Sequence, residues 1–352
     1  MNETIELNQR QKNILNFLSL SDHLTREDIS SFLNKKIVVS RATLSRDLQE
    51  LVKFKFIKKI GNGPHVKYSL MFEHKLLKLI DLSVYFESDA DSRLGVNNIF
   101  VSDIFEKLTG LFDKNEKESL KSDYRSFEKI QKTLDKTILT RELERFLIEL
   151  SWKSSKIEGN TYTLLETEAL IKQEILARGK TKEEARMILN HKEAFKLILD
   201  NITDFKEIKI NNVFGLHNLL TSNLDISSGI RKNAVGITGT IYRPIGNEHQ
   251  LREMLEKLID LINKTEYPLE KALVANCMIA YLQPFSDGNK RTSRMLSNAI
   301  LMAYGYFPLS YRSVDENEYH EAMLLFYETN NLFHIKRLFI EQYRFALKTY
   351  FL

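Results

Sequence analysis

Apolar positions recur at helical spacing over most of the 352-residue chain. Ile14, Phe17 and Leu18 mark a first helix between Gln9 and Leu18. Ile29, Phe32 and Leu33 mark a second, entered through Thr25 with Asp28 three residues on, the spacing of a capping box. Leu44, Leu48, Leu51 and Val52 form the apolar stripe of a third helix, which Ser40 can cap. The period then falls to two: Phe56 to Ile60 and Val66 to Leu70 flank the turn formers Gly61, Asn62, Gly63 and Pro64, predicting a hairpin. Residues 71–140 read as mixed helices with polar loops around 89–93 and 113–117. From Arg141 onward the spacing predicts helices over 146–153, 164–176, 182–199, 208–220, 248–262, 269–281, 291–304, 316–327 and 332–349. One interruption, Val235 to Tyr242, alternates apolar residues with turn formers and predicts a small hairpin. The expected fold class is mainly α: an all-α domain with one β-hairpin over 141–350, a helical bridging region over 73–140, and a module of helices plus a β-hairpin over 1–72.

Composition sharpens this outline. Five Pro and 13 Gly exclude a collagenous or low-complexity chain and favour long helices. The longest apolar run, around Ala299 to Phe307, is too short for a membrane span, and Met1, Asn2 and Glu3 open no signal peptide. A cytoplasmic protein with no membrane partner is expected. The lone Cys277 excludes an internal disulfide framework and a cysteine zinc site. The net charge of +4 is unevenly placed: residues 35–70 hold nine Lys and Arg against Asp47 and Glu50, so this segment is +7 and the remainder −3. Such local basicity is the footprint of a nucleic-acid site. Arg46 and Gln49, with Ser45 beside them, lie off the apolar stripe and suit base edges; Ser40, Arg41, Lys58, Lys59 and Lys67 suit phosphates. The order helix, helix, helix, hairpin resembles the winged-helix domains of bacterial transcription regulators, which implies double-stranded DNA as a partner, with a protein-binding winged helix as the alternative.

The densest chemistry lies at 283–294. Asp287, Gly288 and Asn289 form a tight turn before a helix whose first N–H groups lack partners, an arrangement that binds anions. Arg291 and Arg294 can reach phosphate oxygens, and Asp287 can hold a Mg²⁺ that bridges phosphates. Nucleotide binding follows from these parts. The string Gln283-Pro-Phe-Ser-Asp-Gly-Asn-Lys-Arg-Thr-Ser-Arg294 resembles the signature of the Fic (filamentation induced by cyclic AMP) family, His-Pro-Phe-x-Asp/Glu-Gly-Asn-Gly/Lys-Arg-x-x-Arg, matching at Pro284, Phe285, Asp287, Gly288, Asn289, Arg291 and Arg294. Leu216, His217, Gly229, Ile230 and Arg231 also resemble the family, as does the segment Val235, Gly236, Ile237, Thr238, Gly239 up to Pro244, its target-clamping flap. Ser154, Glu158 and Gly159 resemble the family's inhibitory motif, Ser/Thr-x-x-x-Glu-Gly/Asn, here placed before the catalytic core. The likeness covers roughly residues 140–345.

The resemblance implies an all-α fold with a flap and transfer of AMP from ATP to a hydroxyl of a target protein or of the chain itself. On that mapping Asp287 holds Mg²⁺. Gly288, Asn289, Lys290 and Arg291 hold the phosphates, and Arg294 grips the γ-phosphate unless Glu158 pairs with it first. Two departures stand out. Gln283 occupies the position of the family's general base, and an amide has no proton affinity near neutral pH. Lys290 stands where many members have Gly, a variant shared with the death-on-curing branch, which transfers phosphate. His217 and His320 are the other histidines considered as a base, with a structural or surface role as their default. Three readings follow: a self-inhibited protein adenylyltransferase, a catalytically degenerate nucleotide sensor that regulates DNA binding, and, ranked last, a phosphotransferase. The pattern leaves room for a homodimer.

Overall fold

The computed structural model describes residues 7–350 except 21–22, 35–37, 55, 64–65, 72–73, 94 and 134. Pro64 of the predicted turn and the cations Lys35, Lys36 and Lys55 lie outside the described residues. The chain divides into two compact units, residues 1–93 with 331–334, and residues 94–330 with 335–352. The expected bridging region therefore splits, 73–93 grouping with the first unit and 94–140 with the second.

The first unit runs α1 (Gln9–Leu20), β1 (Leu24–Thr25), α2 (Arg26–Asn34), α3 (Arg41–Lys53), β2 (Ile57–Ile60), β3 (Lys67–Leu70) and α4 (Leu82–Tyr85). The strands form an antiparallel sheet in the order β1-β3-β2, with Ile57 opposite Leu70 and Ile60 opposite Lys67. Strand β1, two residues long, is too short to leave an alternation in the sequence. The stripe residues Ile14, Leu18, Ile29, Leu33, Leu44, Leu48 and Leu51 are buried with Ile57 in one core. Both predicted caps form: Thr25 exchanges hydrogen bonds with Asp28, and Ser40 Oγ accepts from Thr43 N at 3.1 Å. The polar face keeps the basic residues outward, with Arg41, Arg46, Gln49 and Lys53 exposed.

The second unit contains α5 (Lys114–Thr133), α6 (Lys136–Ile157), α7 (Leu164–Gln173), α8 (Lys182–Asp200), α9 (Ile210–Leu220), α10 (Glu248–Lys264), α11 (Pro268–Leu282), α12 (Asn289–Ala303), α13 (Glu316–Thr329) and most of α14 (Phe333–Thr349). Each helical stretch predicted after Arg141 is present. The pair α11 and α12 forms the centre: residues 269–282 are all buried, and in α12 only Lys290 is not. Helices α6, α8 and α9 pack on α12, and α10 and α13 on α11.

Two expectations are corrected. Residues 113–117 are not a polar loop but the start of α5. Asp113 accepts from Glu116 N at 2.8 Å and Glu116 from Asp113 N at 2.9 Å, so their polarity serves a reciprocal cap. Residues 235–242 form no hairpin. Burial does alternate from Val235 to Thr238, and Gly239 turns the chain at φ +84°. The return arm, however, is held by side chains: Tyr242 N donates to Thr240 Oγ1 at 3.1 Å and the Tyr242 hydroxyl to the Tyr281 carbonyl at 3.0 Å. No ladder joins the two arms.

Candidate functional site

The turn between the two central helices is built by its own side chains. Helix α11 ends on Gln283 in the left-handed region, φ 50° and ψ 56°, and Pro284 prevents its continuation. Asn289 braces the turn, accepting from Phe285 N at 2.9 Å and donating to the Phe285 carbonyl at 2.8 Å and to Gln283 Oε1 at 2.9 Å. Gln283 Nε2 donates to the Ala280 carbonyl at 2.7 Å, so both ends of its amide are engaged. Beneath, Phe285 stacks on His217 at 3.7 Å between ring centroids, and His217 Nε2 donates to the Asp287 carbonyl at 3.0 Å. His217 is thus a buried support of the turn. Gly288, at φ +78°, caps α12, and the first-turn N–H groups of that helix open at the turn.

Five charged side chains stand at this helix end: Asp287, Lys290, Arg291, Arg294 and Glu158. Arg291 is buried, donating to the Leu220 carbonyl at 3.1 Å and to Asp287 Oδ2 at 3.3 Å. Burial lowers its pKa despite Asp287 and Glu158 nearby. Arg294 is fully buried and donates to Ser154 Oγ at 3.0 Å, the Ser154 carbonyl at 2.9 Å and Glu158 Oε1 at 2.8 Å. Lys290 Nζ lies 3.6 Å from the other Glu158 oxygen. Burial pushes the Glu158 carboxyl up, but Arg294 and Lys290 outweigh it and hold it below its ordinary value.

Glu158 is delivered by the end of α6. It caps that helix, and Gly159 follows at φ +90°, a conformation that glycine supplies without strain. One turn back, Ser154 receives the Arg294 bond and lies 2.9 Å from His191 Nε2 on α8, whose Nδ1 faces the Met187 carbonyl at 2.8 Å. A carbonyl only accepts, so Nδ1 carries the proton and Nε2 accepts from Ser154. Burial pushes the His191 pKa down to about 3, which keeps the ring neutral.

A cavity of about 450 Å³ gathers Gln283, Asp287, Gly288, Asn289 and Lys290 with Glu158 and with Val235, Gly236, Ile237 and Thr238. Gly239, Arg291, Arg294, Ser154 and Gly159 are not among its walls; Arg291, Arg294 and Ser154 are buried, Gly159 and Gly239 exposed. Arg231 fastens the 235–242 segment, donating to the carbonyls of Gln283 at 2.7 Å, Asn233 at 2.7 Å and Ile245. The opposite wall is His320, Met323, Leu324 and Tyr327 of α13. His320 Nε2 donates to the Ile157 carbonyl at 3.0 Å, and burial lowers its pKa. Sequence reasoning missed His191 and the apolar residues of this wall, because helical spacing marks a helix without saying which cavity it faces. In the other unit, Arg41, Arg46, Gln49 and Lys59 are exposed, Ser45 and Lys58 half-buried, and Ser40 is exposed with its hydroxyl serving as the α3 cap.

The Fic/DOC family model matches residues 207–301. Over 268 residues the chain is 27% identical to the protein adenylyltransferase Fic of Drosophila erecta, covering 74% of this chain and 53% of that protein. Over 177 residues it is 30% identical to that of Drosophila yakuba, covering 49% and 36%. The chain thus spans about half the length of the curated relatives it matches. Among solved structures, Fic-1 from C. elegans aligns with a TM-score of 0.58 at 22% identity, covering 67% of this chain and 72% of that one. A Fic-domain-containing signalling protein from Bacteroides thetaiotaomicron gives 0.58 at 20%, covering 66% and 95%. At these identities the structural likeness concerns the fold. No helix among the described residues is long and apolar enough to cross a membrane.

Proposed function

Residues 207–301 of this chain are a Fic/DOC-family domain, and on that premise we propose that the protein is an ATP-dependent protein adenylyltransferase held off by its own Glu158 and joined to a DNA-binding winged helix. The observation that carries this reading is the pairing of Glu158 with Arg294 beside the Gln283–Asn289 turn at the N-terminus of α12. A carboxylate on that arginine takes the donors a γ-phosphate oxygen needs and adds like charge, so ATP is excluded from the productive pose. In the reaction a hydroxyl oxygen of the target bonds the α-phosphorus, the bond to the β-phosphate bridge breaks, and pyrophosphate leaves. The hydroxyl proton goes to solvent, since Gln283 cannot take it. The turn's N–H groups and the Arg291 and Arg294 guanidiniums would hold the phosphates, and segment 235–239 would lie along the target backbone. Asp287, whose side chain is 69% exposed, is the acid at the turn, and among the described residues no group of three or more metal-ligating side chains occurs. One carboxylate plus phosphate oxygens suits Mg²⁺ brought with ATP, where it would neutralise phosphate charge.

The test uses the full chain with ATP labelled on the α-phosphate, comparing the native protein with Glu158→Gly, Gln283→His and the double variant. We expect little labelling of protein by the native form and strong labelling by the double variant. Absence of α-label from the Glu158→Gly form that keeps Gln283, even where the Gln283→His forms label, overturns the reading for the native chain, and label passing from the γ-phosphate instead assigns phosphate transfer. A second reading is favoured by the engaged amide of Gln283, which is bound at both ends: a degenerate Fic domain that senses ATP and adjusts DNA binding. It predicts that the Glu158→Gly form with Gln283 intact binds ATP in calorimetry yet stays unlabelled.

A further inference from the structure

The inhibitory carboxylate is held by two cations. Arg294 Nη2 meets Glu158 Oε1 at 2.8 Å, and Lys290 Nζ stands 3.6 Å from Oε2. Arg294 arrives from the buried side, with 1% of its side chain exposed; Lys290 arrives from the cavity side, 23% exposed, on the one position of α12 that is not buried. A carboxylate held through one oxygen can swing about that contact towards the open cavity. With the second oxygen facing an ammonium, that motion separates two pairs of opposite charge in a half-buried setting, where attraction is stronger than in water. His320 and Tyr327 are the other titratable wall groups that face Glu158, and burial keeps the Tyr327 phenol protonated. The Nε2 proton of His320 is given to the Ile157 carbonyl, so His320 does not donate to Glu158 through that nitrogen.

We propose that Lys290 is a positioning residue of the inhibited state: it fixes the second oxygen of Glu158 while Arg294 holds the first. The proposal rests on the inhibitory role assigned to Glu158 above. It makes the effect of Lys290 conditional on that residue, which a merely structural lysine in the turn would not be.

The experiment measures α-label transfer in the full chain carrying Gln283→His, so that turnover is readable. Lys290→Met and Lys290→Arg are compared with Glu158 present and with Glu158→Gly. With Glu158 present, Lys290→Met raises labelling by roughly two- to tenfold and Lys290→Arg restores the low level. With Glu158→Gly, Lys290→Met gives no rise. No rise with Glu158 present, or an equal rise in both backgrounds, overturns the proposal. If even the Glu158→Gly form transfers no label, the reaction assigned above fails, and the clamp is judged separately by melting temperatures of Lys290→Met, Glu158→Gln and their double variant. A double-variant drop smaller than the summed single drops upholds the clamp. Additive drops refute it.

Discussion

Gly288 is the residue on which the 283–289 turn closes most tightly. Its φ is +78°, and a Cβ there would stand 2.8 Å from Thr221 Cγ2. An alanine therefore meets both a left-handed backbone and a methyl contact too close to keep. Gly288→Ala is expected to cost about 1–3 kcal/mol in denaturant unfolding and to weaken ATP binding. Pairing it with Thr221→Ser removes the methyl contact and should recover part of the stability but not the backbone strain. Single residues of this kind were legible in the sequence because Asp-Gly-Asn before a helix demands a turn. That position 283 holds an amide with no proton affinity near neutral pH was legible too, since its chemistry needs no coordinates. The use of that amide as a brace between Ala280 and Asn289 was not, because it depends on the left-handed conformation of Gln283, which residue type alone does not specify.

At the scale of elements, α6 must present Glu158 at a fixed depth, and α8 holds it there through the Ser154 to His191 contact. His191 is neutral in the fold, its pKa pushed by burial from 6.5 down to about 3. Below pH 6.5 the unfolded chain takes up a proton that the folded chain refuses. The stability from this site is therefore complete above that pH and falls as the pH drops towards 3. Against a His191→Gln variant, the native protein should lose up to about 1.4 kcal/mol more per pH unit in urea titrations run between roughly pH 6.5 and 5. Identical pH slopes for the two proteins would show that His191 charges without cost. Helix boundaries were largely readable from apolar spacing and caps, as in α3 and α13. The hairpin predicted over 235–242 failed for a tertiary reason: alternation describes which side chains face inward, whereas a ladder needs a partner strand, and Tyr242 is anchored on Tyr281 instead.

Taken whole, the molecule carries the basic segment 35–70 in one unit and the 283–294 turn in the other. If the basic unit engages double-stranded DNA, affinity should fall linearly on a logarithmic salt scale. Lys59→Ala should weaken binding of all sequences and reduce that slope by about one, and Arg46→Ala should cost about 1–3 kcal/mol and relax specificity at one base pair. Fluorescence anisotropy over a salt series measures both, and affinity without salt dependence would exclude the interface. What the sequence by itself determined is whatever depends on residue type and local spacing: the helices, the caps, the basic segment, the turn at 283–294, the amide at 283 and the presence of an acid at 158. Tertiary structure decided what depends on distances between segments far apart in the chain. Glu158 and Arg294 are 136 residues apart, and no local pattern ties one to the other. The burial of α12 between α6, α8 and α9 brings them within 2.8 Å and sets Lys290 on the second oxygen. Coulomb attraction depends on that separation and on the water excluded around it, and both are properties of the packed fold.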